Sequence, residues 1–123
     1  MAQPPIMVES EYDQYDAVGL AGLIAKSELG PSEQIEAAIS RIESRNPRLN
    51  AVVAKCFDAA RGLIAKGLPD GPLAGVPYLV KDLNTWLAGV PATNGSQAFA
   101  ETTPESDGIL VSRLKAAGLV ILG

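Results

Sequence analysis

The chain has 123 residues, 47% hydrophobic and only 20% charged, a balance that argues against intrinsic disorder and fits one ordinary domain. A net charge of −4 and a pI near 4.7 oppose sequence-independent attraction to phosphate backbones or anionic lipid, so neither nucleic acid nor a membrane is an expected partner. Histidine is absent, which excludes a Ser-His-Asp triad, a Cys-His dyad and a histidine-bearing zinc site; any general base must be Lys, Asp, Glu or Tyr.

Residues 1–15, with Pro4, Pro5, Glu9 and Glu11, read as a flexible arm ahead of a single unit over 16–123. Asp16 is placed to cap a first helix carrying Leu20, Leu23 and Ile24, which should stop at Gly30-Pro31. Ser32 then caps a second helix. Its Ile35, Ala38, Ile39 and Ile42 fall at three- and four-residue steps, and Asn46-Pro47 should end it. Arg41, Arg45 and Arg48 alternate with glutamates and read as a solvated face rather than a basic patch. "LNAVVAKCF" fits either a short strand at 50–54 or the start of a third helix reaching about Lys66, and "KGLPDGPLAG" is a turn-rich loop.

Val76 to Val80 reads as a strand whose Pro77 suits a beginning or an edge. A long loop rich in Gly, Ala, Thr and Asn follows over 84–103. Ser106, Asp107 and Gly108 open a helix with Ile109 or Leu110, Val111 and Leu114 on its buried side; Gly118 closes it and "LVILG" forms a second buried strand. Strand, crossover, helix, strand is the order of a parallel β-α-β unit in an α/β fold. Cys56, the only cysteine, cannot form an internal disulfide. With no basic start followed by a secretory apolar block, and no apolar run of roughly 18 residues, the expected setting is cytoplasmic. Two strands leave a parallel sheet poorly covered, so the sequence is expected to be the front portion of a larger protein, truncated at its C-terminal end.

"GVPYLVKDLN" sets Lys81 and Asp82 directly after an apolar run. Two readings stay open for Lys81: it snorkels to water from the sheet edge, or it sits partly desolvated at the carboxyl end of a parallel strand, where α/β proteins place their sites. If the strand continues, Lys81 shares a face with Leu79 while Asp82 looks the other way, which makes Asp82 a poor salt-bridge partner for it.

"GPLAGVPYLVKDLNTWLAGVPATNGSQAF" followed by "SDGILVSRLKAAGLVILG" resembles the first block of the amidase signature family, serine hydrolases of amide bonds. "PSEQIEAAISRIESRNPRLNAVV" is similar to that family's N-terminal helix and the turn that follows it. The resemblance covers about Asp16 to Gly123. It implies the N-terminal part of an α/β/α mixed-sheet sandwich, helices first and then a β-α-β unit, without a cofactor. It also implies that Lys81 is the base of a Ser-Ser-Lys triad, relaying a proton through a bridging serine to a nucleophilic serine that forms an acyl-enzyme. Asp82 matches the pattern too and is expected to secure the backbone rather than to react.

The Gly/Ser-rich segment that bears both serines in that family has no counterpart in these 123 residues. Ser96 in "TNGS" reads as a turn residue, Ser106 as a helix cap and Ser112 as a helix-surface hydroxyl. The expectation is an amidohydrolase of a carboxamide or a linear or cyclic amide that is inactive as this chain alone. A homodimer or a complementing C-terminal fragment is the expected partner, and a small-molecule amide the substrate when complete. Two alternatives stand beside it: an amidotransferase component that releases ammonia from glutamine for tRNA-dependent amidation, and a non-catalytic oligomerisation or regulatory module built on the first two helices. A phosphate-binding half-domain using Lys81 lacks a GxxxxGK[ST] loop.

Overall fold

Capping chemistry sets the helices, and the apolar run at 119–122 sets what they pack against. The structure is a computed structural model that describes residues 9–123; residues 1–8 of the expected arm lie outside them. α1 (Glu9–Tyr12) is a single turn against α3 (Pro31–Leu49). Tyr12 packs on the core, with the Arg41 guanidinium 5.3 Å from its ring centroid, and Arg41 also pairs with Asp13.

α2 (Ala17–Ala25) starts as expected, with the Asp16 carboxylate accepting from the Gly19 N–H at 2.7 Å. It ends five residues before Gly30, because Ser27 takes the left-handed conformation that reverses the chain. The expected Ser32 cap is corrected: Gly30 is the N-cap of α3 and Pro31 its first residue, while the Glu33 side chain accepts from the Gly30 N–H at 3.0 Å. Pro47 does not end that helix. It lies in the last turn, where one missing N–H in a solvent-exposed position is a small loss, and Asn50 in the left-handed region closes it. Asn46 then clasps Val52 from both sides, its Oδ1 accepting from Val52 N–H at 2.8 Å and its Nδ2 donating to Val52 C=O at 3.0 Å. That clasp leads the chain into an extended run up to α4 (Phe57–Ala65), so residues 50–54 are neither strand nor helix.

β1 (Pro77–Tyr78) and β2 (Val120–Ile121) pair in parallel, Pro77 opposite Val120 and Tyr78 opposite Ile121, and the neighbouring residues extend the ladder. Val120 and Leu122 N–H groups donate to the carbonyls of Val76 (2.8 Å) and Tyr78 (2.9 Å), and Val80 N–H donates to Gly123 C=O (3.0 Å). On its other side, Leu122 C=O accepts from Cys56 N–H at 2.8 Å, which places the run before α4 alongside β2. The opposite flank of β1 is open among the described residues. Pro77 has no N–H to offer there, and Leu79 makes no backbone hydrogen bond among them.

Four consecutive buried residues in and around β2 follow from having helices on both faces. Val120 and Leu122 pack with Ile35, Ala38 and Ile39 of α3 and Phe57 and Ala60 of α4; Ile121 packs on the other face with Leu87 and with Val111 of α5 (Ile109–Ala116). Leu119 and Val76 join Leu20, Ile24 and Leu29 at one end. Each fully buried Ile, Leu or Val contributes about 1.5–3 kcal/mol. The exposed fork between Arg61 of α4 and Glu36 of α3 (2.6 and 2.9 Å) adds little to that seam. On α5 the expectation for Ile109 and Leu110 is corrected. Gly108, not Ser106, is the N-cap, so Val111 turns inward (0% exposed), Leu114 is half-buried, and Ile109 (77%) and Leu110 (56%) face away. Among the described residues no helix is long and apolar enough to cross a membrane.

Gln34 of α3 is fully buried, and neither its amide oxygen nor its nitrogen has a hydrogen-bond partner among the described residues. An unsatisfied buried polar group costs about 1–3 kcal/mol, and an apolar replacement of the same shape removes that cost. Gln34→Met should therefore raise the thermal midpoint by several degrees, roughly 3–5 °C for each kcal/mol recovered. A lower midpoint in calorimetry would contradict this.

Candidate functional site

The last ladder bond is made by Val80, and Lys81 leaves the sheet one residue later, at the carboxyl end of the parallel pair. It borders a cavity of about 160 Å³. One wall is the Ala51–Ala54 run, the floor is Val80 and Gly123, and the facing wall is built by Thr85, Leu87, Val90 and Pro91. Gly123 fits because a side chain there would meet Ala54 C=O at 2.4 Å.

Lys81 is exposed, and its amine has no hydrogen-bond or ion-pair partner among the described residues. In this chain the ladder stops before Lys81 and its side chain is open to water, the arrangement of a lysine reaching out from the sheet edge. Asp82 lines the same cavity as Lys81 and forms no ion pair with it among the described residues. Its carboxylate accepts from Thr93 N–H at 2.8 Å, from the Thr93 hydroxyl, and from Asn94 N–H at 3.3 Å. Asn94 Oδ1 in turn accepts from Asn84 N–H at 2.9 Å. The Thr93 hydroxyl, reinforced by the two backbone N–H groups, holds the Asp82 carboxyl below the usual carboxylate range, so it is ionised at neutral pH.

These bonds pinch the base of the 83–92 loop. Asn84 and Asn94 both adopt positive φ (54° and 51°), a conformation that asparagine tolerates better than most residues. The far side of the loop is tied to the start of α5: Asp107 accepts from Ala88 N–H at 2.8 Å and from Lys115 Nζ at 2.6 Å, and Gly108 N–H donates to Trp86 C=O at 2.9 Å. The Ala88 N–H and the Lys115 ammonium lower the Asp107 carboxyl in the same way. Trp86 itself is 56% exposed and lies outside the cavity lining.

None of the three serines considered reaches the cavity. Ser96 caps the short 3-10 turn at Gln97–Phe99, accepting from Ala98 N–H at 3.3 Å, and Ser106 and Ser112 are exposed. Thr85 is the one hydroxyl-bearing residue in the lining among the described residues, and its Oγ1 donates to Leu83 C=O at 3.2 Å. Sequence reasoning missed Thr85, the Asn84–Asn94 pair and the Asn46–Val52 clasp. For Asn84 and Asn94 the signal was asparagine beside turn-forming residues, at positions that take a left-handed backbone; Thr85 and Asn46 carried no such signal.

A family model described as Amidase matches residues 33–123. A glutamyl-tRNA(Gln) amidotransferase subunit from Salinispora tropica is 40% identical over 121 residues, covering 93% of this chain and 24% of that protein. The 6-aminohexanoate-cyclic-dimer hydrolase of Paenarthrobacter ureafaciens is 37% identical over 110 residues, covering 88% and 22%. The solved structure of a 6-aminohexanoate cyclic dimer hydrolase complexed with substrate superposes with a TM-score of 0.81 at 36% identity, over 89% of this chain and 23% of that one. The chain therefore spans about a quarter of the length of the relatives it matches.

Proposed function

The chain belongs to the amidase family, and from that premise we propose that it supplies the base of a serine amidohydrolase, Lys81, to a site completed by the rest of the family's fold. The observation that carries this reading is the position of Lys81. It stands at the carboxyl end of the parallel pair, on the rim of a walled cavity, with an amine that no described side chain engages.

In the proposed reaction the unprotonated Lys81 amine takes a proton from a serine hydroxyl of the completing region, directly or through a second serine. The resulting alkoxide attacks the amide carbon, the C–N bond breaks as the leaving nitrogen takes up a proton, and water hydrolyses the ester that remains. In this reading the incoming polypeptide covers the cavity as it brings the hydroxyls. By this reading the 123-residue chain alone turns over no amide.

The reading is tested by fusing residues 1–123 in frame to the remaining region of the Paenarthrobacter ureafaciens hydrolase and assaying the cyclic dimer of 6-aminohexanoate. Turnover is expected; a folded fusion with none overturns the reading. The 40% identity to the Salinispora tropica amidotransferase supports a second reading, in which the amide is that of glutamine and the ammonia passes to an acceptor. Fusing residues 1–123 to the remaining region of that protein and measuring ammonia release from glutamine separates the two.

A further inference from the structure

We propose that Asp82 is a positioning residue that fixes Lys81 and the facing wall of its cavity together. This rests on the functional reading above, and it assigns to Asp82 a task beyond securing its own backbone.

The geometry is that of a clamp. The single carboxylate gathers Thr93 N–H, the Thr93 hydroxyl and Asn94 N–H, and the loop it closes spans 83–92. All four residues of the facing wall, Thr85, Leu87, Val90 and Pro91, come from inside that loop. Asn94, once held by Asp82, passes the constraint back to Asn84 N–H, two residues beyond the carboxylate itself. The clamp thus fixes both ends of the loop, and one of those ends adjoins Lys81.

The other anchors cannot replace it. Ala88 N–H to Asp107, Gly108 N–H to Trp86 C=O and Gly89 N–H to Pro104 C=O (2.9 Å) hold the middle of the loop to the approach to α5, and Ala92 N–H to Thr102 C=O (2.7 Å) holds its end to the chain after the 3-10 turn. None of them touches Lys81 or its neighbours. Without Asp82 the loop stays tethered at the far side while its base opens and the lysine loses its fixed relation to the wall. Misplacing a reacting group by about 1 Å costs roughly 10²-fold in rate.

Two measurements test this. In the 123-residue chain, Asp82→Asn should speed amide hydrogen exchange at Thr93, at Asn94 and, through the relayed bond, at Asn84, while Ala88 and Gly108 keep their protection. In the fusion with the Paenarthrobacter ureafaciens region, Asp82→Asn should lower kcat by roughly 10²-fold with KM nearly unchanged. Thr93→Val, which removes the hydroxyl that donates to Asp82 and accepts from Gly95 N–H at 3.2 Å but keeps the backbone donors, should lower it by a smaller factor, and Thr93→Ser should recover it. An Asp82→Asn enzyme within about threefold of the parent kcat overturns the proposal, as does a change confined to KM or unchanged exchange at Asn84. Retained turnover in a Lys81→Ala fusion would instead overturn the functional reading and leave the exchange test of the clamp standing.

Discussion

Lys81→Ala in the completed enzyme should lower kcat for amide hydrolysis by about 10²–10⁴-fold, the range over which a positioned general base acts. In the 123-residue chain the same substitution should leave folding unaffected, because the Lys81 side chain is exposed there and touches no charged partner among the described residues. The two parts of the expectation separate catalysis from stability: turnover disappears while the thermal midpoint stays within about a degree. Near-normal turnover would remove Lys81 from the reaction. A large drop in midpoint would show that the residue packs in a way its exposure does not indicate.

A large effect on stability is expected at Gly118. Its φ of +94° is a conformation that side-chain-bearing residues rarely adopt, and an added Cβ would lie 2.6 Å from Ala74 Cα and 2.7 Å from Ala74 N. Nothing there can yield cheaply, because the contact is backbone against backbone. Gly75 N–H donates to Gly118 C=O at 2.9 Å and Leu73 N–H to Ala117 C=O at 2.8 Å, so the "GPLAG" segment and the end of α5 are joined at the point of closest approach. Gly71 meets Ala117 from the other side, where a Cβ would fall 2.4 Å from the carbonyl carbon. Backbone strain and overpacking together give about 3–5 kcal/mol for Gly118→Ala. The midpoint should drop by roughly 10–20 °C, and a loss below about 1 kcal/mol in denaturant unfolding would contradict the close approach.

Features carried by short-range rules were legible in the sequence. Asp16 precedes a helical run and caps it, the Ile35, Ala38, Ile39 stripe faces the core, and the two apolar runs bracketing α5 and its approach pair in parallel. Boundaries decided by competing signals were not. Ser32 and the Gly30-Pro31 pair both qualify as a helix start, and backbone geometry favoured the glycine and proline. Ile109 and Leu110 are apolar but sit ahead of the turn that buries Val111, and hydrophobicity alone does not choose between adjacent positions. At the site, Lys81 could be named as a candidate, whereas its surroundings could not be read. Asp82 finds its partners eleven and twelve residues further along the chain, across a loop whose fold depends on two left-handed asparagines, and no local pattern encodes that closure. Gln34 lies beside the helical stripe, and its burial comes from α3 being covered on more than one side.

Pro77 leaves one more imprint. Over the span from Pro77 to Leu79, the bare flank of the sheet presents a single amide hydrogen, from Leu79. A strand laid alongside would therefore meet two carbonyls and only that one donor, an asymmetric code that favours a neighbour rich in its own N–H groups over an unselective zipper of extended chains.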